Sequence, residues 1–255
     1  MSNPRFSIGQ LPVDAVTRSE AVDAVEALVR AGKGAAVYTP NVDHVMLVEH
    51  HEALRAAYAS VELSVPDGMP VVWGARLLGH AVPERVSGSD LLMPVLERAA
   101  LCDFGVYFFG ANERTLQRAR AALAVKLPAL RVLGAACPQV DPGAAVDAFE
   151  AWCAPIRASG ASLVVVALGA PKQELFIARA RAGLPGVVFL ALGAALEFLA
   201  GTQQRAPVWM QRTGFEWAYR LACEPQRLAH RYLVRGAGFP RVLWRTWRAR
   251  GAPQN

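Results

Sequence analysis

The chain has 255 residues, 53% of them hydrophobic and 19% charged, with a formal net charge of +6 and a pI near 9.5. That much apolar material buries a large core in one domain with an appendage. The longest apolar stretches, 161–171 and 187–199, are interrupted or ended by Gly, Pro or Glu197 and fall short of the roughly 18 uncharged residues of a spanning helix. The N-terminus lacks the basic start and apolar centre of a secretory signal, and the four cysteines, Cys102, Cys137, Cys153 and Cys223, have no metal-ligand spacing. The expectation is a soluble cytoplasmic protein with reduced thiols.

In chain order, short apolar runs alternate with segments of helical spacing. Residues 35–39 (AAVYT), 61–65 (VELSV), 105–110 (GVYFFG), 130–136 (LRVLGAA), 162–169 (SLVVVALG) and 187–193 (VVFLALG) are strand-like, and the best of them are continuous, as strands buried on both faces are. Residues 19–31, 112–127 and 172–183 carry helical spacing. This alternation predicts an α/β fold with an open, mostly parallel, Rossmann-like sheet. Charge divides the chain at about residue 200: the segment from Gly201 has ten arginines against two acids, a net +8, which leaves the first 200 residues at −2. The expected organisation is an α/β core over 1–200 and a basic helical appendage over 201–255.

Open parallel sheets bind ligands at the carboxyl ends of their strands, and the strand-like runs end in Thr39-Pro40-Asn41, Pro66-Asp67-Gly68, Gly110-Ala111-Asn112, Gly169-Ala170-Pro171-Lys172-Gln173-Glu174 and Gly193-Ala194-Ala195. Glycine lets backbone approach a ligand, and a helix start offers free N–H groups suited to phosphate. A nucleotide-containing substrate is expected. Neither GxGxxG nor a Walker phosphate loop is present, so nothing points to a nicotinamide enzyme or a P-loop NTPase.

The ordered set TPNVDH, SVPDGMPVVWGARLLG with ERVSGSDL, VVALGAPKQE, and RAPVWMQRTGFEWAYRLACEPQRLAHRY resembles the WecG/TagA/CpsF bacterial glycosyltransferases, from about Phe6 to Phe239. The resemblance implies transfer of a hexosyl group (N-acetylmannosamine, its uronic acid, or glucose) from a UDP-sugar. The acceptor would be a polyprenyl (undecaprenyl) diphosphate-linked saccharide at the inner face of the plasma membrane, in surface polysaccharide assembly. It allows a monomer–oligomer equilibrium that moves the tail.

Asp67 matches the family's proposed catalytic base, which takes the acceptor hydroxyl's proton in an inverting transfer; the competing reading is a turn, or a cap on a helix starting near Met69. Thr39 and Asn41 match a polar pair in the family's pocket, against a Pro turn and an Asn cap. Arg85 corresponds to an arginine whose fork of donors suits a diphosphate, against a solvated arginine. Gly169, Lys172, Gln173 and Glu174 form a turn and helix start that could meet the nucleotide or sugar, although Glu174 could cap its own helix. Two departures from the family pattern, Glu197 where aspartate is expected and Ala136-Cys137-Pro138 in place of an aromatic-containing loop, imply a changed donor preference.

No DxD pair advertises a metal site. Asp43 and His44 read as first-turn residues of a helix, so arginines are the expected counter-charge for the departing UDP, with no metal or cofactor required. In the tail, helices are expected from Pro207 and after Glu224-Pro225. Arg227, Arg231 and Arg235 recur at i, i+4 and i+8, one helical face. The plain reading is a solvated basic face. Four of the six tryptophans, Trp209, Trp217, Trp244 and Trp247, also lie there, a combination suited to an anionic membrane surface. The resemblance places Arg220, Arg227 and Arg231 at the active site. Two other readings are nucleic-acid binding through the basic aromatic tail, disfavoured because the basic residues are confined to one end, and a sugar-nucleotide epimerase or hydrolase without a lipid acceptor.

Overall fold

The computed structural model describes residues 4–250, with the backbone alone for Arg212, Arg227 and Tyr232. The chain opens with an antiparallel hairpin, β1 (Arg5–Ile8) and β2 (Leu11–Asp14), which no sequence pattern above announces. Arg5 donates Nε and Nη2 to the two oxygens of Asp14 at 2.8 and 2.9 Å, and Asp14 also accepts the Ser64 N–H at 2.8 Å, which fastens the hairpin to the sheet. Helix α1 (Arg18–Ala31) starts at a capping box between Thr17 and Glu20 and ends at Gly32, in the left-handed region at φ 62°.

The α/β core follows: β3 (Ala35–Tyr38), α2 (Val42–His50), α3 (Glu52–Ala59), β4 (Leu63–Ser64), α4 (Met69–Leu77), α5 (Gly88–Leu101), β5 (Val106–Gly110), α6 (Glu113–Lys126), β6 (Val132–Ala136), α7 (Val146–Ser159), β7 (Leu163–Ala167), α8 (Lys172–Gly183) and β8 (Val188–Ala191). The strands pair in parallel in the order β4-β3-β8-β7-β5-β6. These six strands are the six apolar runs of the sequence, and the fold is the expected Rossmann-like α/β sheet. Every residue of β3, β5 and β8 is buried, and alternate residues feed two cores. Tyr38, Phe109, Phe189 and Val164 meet Phe149 of α7 and Phe176 of α8 on one face, while Val37, Phe108, Leu190 and Val165 meet Val25 of α1 and Leu92 of α5 on the other. Each such side chain contributes about 1.5–3 kcal/mol by leaving water.

Beyond the sheet come α9 (Ala195–Leu199), α10 (Val208–Thr213), α11 (Glu216–Cys223), α12 (Pro225–Ala229), a π-helical stretch (His230–Arg235), a short 3-10 turn (Gly236–Gly238) and α13 (Phe239–Arg250). The helix expected from Pro207 breaks at Gly214. Its φ is 83°, and a Cβ there would lie 2.7 Å from Met69 Cβ and 2.9 Å from Trp73 Cζ2. The second helix starts at Pro225 as expected, but the wider i→i+5 winding of 230–235 interrupts the regular i, i+4, i+8 face read from Arg227, Arg231 and Arg235. Among the described residues, no helix is long and apolar enough to cross a membrane.

Helix α13 lies close on α4 because Gly74 has no side chain: a Cβ there would sit 2.8 Å from Leu243 Cδ2 and 3.1 Å from Phe239 Cζ. Gly74→Leu is therefore expected to lift α13, lowering unfolding free energy by about 1–3 kcal/mol and exposing the tail to limited proteolysis. An unchanged melting curve and digestion pattern would mean that α13 is not seated there.

Candidate active site

The loops after β3 and β4 run side by side, with Val65 N–H donating to Tyr38 O at 2.9 Å and Asp67 N–H to Pro40 O at 2.8 Å. Gly68, at φ 100°, then turns the chain into α4 and is itself the N-cap, with no side-chain cap bond and Pro70 in the first turn. The Asp67 side chain is thus not spent as a cap. It is half-buried and lines two adjoining cavities of about 300 and 460 Å³. The smaller is walled largely by Met69, Pro70, Trp217, Phe198 and Phe239. The larger is polar and glycine-rich, with Thr39, His44, Gly169, Gln173, Gly193 and Glu197. Burial pushes the Asp67 pKa up to about 6; Arg85 and Arg220 oppose that rise, and Glu216 and Asp90 reinforce it.

Thr39 is buried, donates its hydroxyl to Ala191 O at 3.1 Å, and lines the larger cavity. Asn41 is the helix cap that one of its readings expects, with Oδ1 accepting from Asp43 N–H at 3.0 Å and from Arg231 Nη2 at 3.3 Å, and it also stands in the walls of both cavities. Gly169 lines the larger cavity at φ 74°. Gln173 is buried at the same wall, donating Nε2 to Glu174 Oε1 at 2.8 Å. Glu174 is fully buried and lines neither cavity; it accepts from His44 Nε2 at 3.2 Å. Burial disfavours its charge, but the His44 and Gln173 hydrogen bonds outweigh that and hold its carboxyl below the ordinary range. Lys172, the first residue of α8, is exposed and lines neither cavity, so the structure does not bring it to the site. Ala136 ends the edge strand β6, Cys137 and Pro138 follow it, and none of the three lines either cavity, whereas Glu197 lies in the wall of the larger one.

The cations of the tail and core meet carboxylates. Arg85 lines the smaller cavity but its fork is paired: it donates Nη1 to Glu216 Oε2 at 2.7 Å and Nη2 to Asp90 Oδ2 at 2.9 Å. Arg205 bonds the other oxygen of Asp90 at 2.7 Å and lies 3.6 Å from Glu216. Arg231 and Arg235 each approach the buried Asp43 carboxylate at 2.9 Å. The two arginines are therefore docking groups as well as cavity walls. Arg220 lines both cavities and lies 5.7 Å from the Phe198 ring centroid. Its buried Nε has no hydrogen-bond partner, and it forms no ion pair with a described residue. The Arg227 side chain lies outside the described residues. Among those described, no three His, Cys, Asp or Glu side chains cluster as metal ligands.

The model of the glycosyl transferase WecG/TagA/CpsF family matches residues 6–253. The chain belongs to this family of glycosyltransferases. One relative, from Bacillus spizizenii, is an N-acetylglucosaminyldiphosphoundecaprenol N-acetyl-β-D-mannosaminyltransferase, 30% identical over 195 residues that make up 76% of this chain and 74% of that protein.

Sequence reading of this glycosyltransferase missed Asp90, Arg205, Glu216 and Phe198. Asp90 stood within the quoted ERVSGSDL run, but its partner Arg205 is 115 positions away, and no local spacing reveals that. Because the folded pKa of Asp67 lies above its ordinary 3.8, the ionised side chain destabilises the fold above about pH 6, and this penalty vanishes below about pH 4. Asp67→Asn is expected to raise unfolding free energy by about 1–3 kcal/mol at about pH 7.5 and not at about pH 4. Equal stability of the two proteins in thermal melts at both pH values would mean that the carboxylate is well solvated.

Proposed function

We propose that this glycosyltransferase moves a hexosyl group, of N-acetylmannosamine, its uronic acid or glucose, from a UDP-sugar to a polyprenyl diphosphate-linked saccharide, with inversion. One observation carries the reading: a half-buried carboxylate, Asp67, faces both a largely apolar cavity and a polar, glycine-rich one. In this reading the acceptor saccharide enters on the apolar side and the sugar nucleotide occupies the polar side. The relative from Bacillus spizizenii, by its name, uses an undecaprenol-diphosphate-linked acceptor.

Asp67 removes the proton of the acceptor hydroxyl as that oxygen bonds to the anomeric carbon. The bond from the anomeric carbon to the β-phosphate oxygen breaks, and UDP leaves from the opposite face with the electron pair. Arg220, which lines both cavities without an ion-pair partner among the described residues, supplies a preorganised counter-charge, and Arg231 adds a second. Thr39, Asn41, Gln173 and Glu197 orient the sugar nucleotide. Residues 1–200 form the catalytic core, and the tail from 201 roofs it.

Membrane attachment belongs to the same reading. Trp209 on α10 is 62% exposed, and Trp244 and Trp247, 56% and 62% exposed, share α13 with Arg241 and Arg248; each basic group near an anionic leaflet adds about 1 kcal/mol. The protein would sit peripherally on the inner face of the plasma membrane. Arg205, Arg231, Arg235 and Arg245 are paired with carboxylates, which weakens the case for a nucleic-acid surface.

The test is UDP release from a panel of UDP-sugars with a prenyl diphosphate-saccharide acceptor. Asp67→Asn should lower kcat by about 10²–10⁴. The wild-type rate should fall as pH drops below about 6, where Asp67 protonates, and EDTA should leave it unchanged. A fully active Asp67→Asn enzyme would remove the base, and no turnover with any donor and lipid acceptor would remove the transferase reading.

A further inference from the structure

One wall of the larger cavity has its hydrogen-bonding polarity decided by a residue that does not reach the cavity. Gln173 is 4% exposed, and its amide has a donating end and an accepting end. Nε2 donates to Glu174 Oε1 at 2.8 Å. The other end, Oε1, is buried without a hydrogen-bond partner and lies 3.9 Å from where a Cβ on Gly193, a residue of the same cavity wall, would stand.

Glu174 decides which end faces which way. It is fully buried, and its ionised carboxylate offers acceptors alone. A flipped Gln173 would set a carbonyl oxygen against that carboxylate with no water to separate them, and would leave two acceptors facing each other in a low-dielectric interior. His44 reinforces the arrangement. His44 Nδ1 is held by Asn41, 3.2 Å from its N–H and 3.0 Å from its Oδ1, and His44 Nε2 lies 3.2 Å from the same Glu174 oxygen. Two side-chain nitrogens from different elements, Gln173 Nε2 and His44 Nε2, thus converge on Oε1 of Glu174.

We infer that Glu174 is a positioning residue that locks the Gln173 amide with its carbonyl oxygen toward the cavity, so that the site selects a ligand group presenting an N–H or O–H there. This rests on the larger cavity being the sugar-nucleotide site. An N–H or O–H of the sugar nucleotide satisfies Gln173 Oε1; a ligand with only an acceptor or an apolar group at that point leaves a buried carbonyl unpaired, and sites built on a specific hydrogen bond reject such analogues strongly. A merely structural Glu174 would instead hold α8 to α2 through His44 and have no influence on ligand affinity.

The experiment is a double-mutant cycle read on KM for UDP-N-acetylmannosamine, with thermal melts to verify folding. Gln173→Met removes the acceptor at similar volume, and Glu174→Gln releases the amide to flip while keeping an oxygen for His44. Each is expected to raise KM about tenfold, with kcat falling far less, and the double variant is expected to be no worse than Gln173→Met alone. Additive effects, or an unchanged KM in folded Glu174→Gln, would overturn the inference. A second readout needs neither variant nor turnover: in the wild-type protein without substrate, proton–nitrogen NMR should show the Gln173 side-chain amide protons protected from exchange with water, and free exchange would equally overturn it. Absent turnover in the wild type would count against the transferase reading, while the NMR result still decides how Gln173 is held.

Discussion

An all-parallel sheet sends the carboxyl end of every strand to one edge, and the rest of this molecule follows from that constraint. The central strands are continuous in hydrophobic character because both faces are covered, so the polar groups that the sheet itself can bring together are those of the loops that leave that edge. Thr39 and Asn41 after β3, Asp67 after β4, Gly169 and Gln173 after β7, and Gly193 after β8 gather there from positions more than 150 residues apart. Short strands buried along nearly their whole length, as β3, β4, β7 and β8 are, leave these loops little freedom. The hydrogen bond from Asp67 N–H to Pro40 O locks two of them together.

The tail converts that open edge into an enclosed one. It is held chiefly by charges: Glu216 and Arg205 bracket Arg85 and Asp90 on one side, and Arg231 and Arg235 bracket Asp43 on the other. Buried ion pairs add little net stability relative to apolar contacts, yet removing one partner is costly, so they specify position more than strength. They also govern Asp67. Arg85 and Arg220 favour its ionised form, Glu216 and Asp90 disfavour it, and these opposed fields leave desolvation to decide the outcome. An arginine fork occupied by two carboxylates is a weak cation to its neighbours. A base near neutrality is the result.

The sheet was legible because strand burial writes itself into the sequence as apolar runs, unbroken for β3, β5, β7 and β8 and weaker for the two edge strands, the two-residue β4 and the partly exposed β6. The β1–β2 hairpin was not, since four-residue strands carry too few alternations to read and this one depends on the Arg5–Asp14 pair. Asp67, Asn41 and Gln173 were legible as polar residues just beyond strand ends. Their division of labour was not. The burial of Glu174 against His44 is a contact across 130 positions, and Arg231 reaches Asn41 across 190; a local pattern has no record of either. The tail misled in a related way: a basic periodicity suggested a solvated or lipid-facing stripe, but Arg231 and Arg235 turn inward because a buried carboxylate, Asp43, waits on α2.

The central claim is that the closed tail leaves Asp67 as a desolvated carboxylate between two cavities, with its proton affinity raised into the working range of a base. Carbon NMR of the full chain, following the Asp67 side-chain carboxyl resonance as pH is varied, reads that property with no substrate and no assumption about the reaction. A midpoint of about 6 is the expected result. A midpoint in the ordinary aspartate range, about 3.9, would mean that water reaches the carboxylate freely and that the enclosed edge does not tune it.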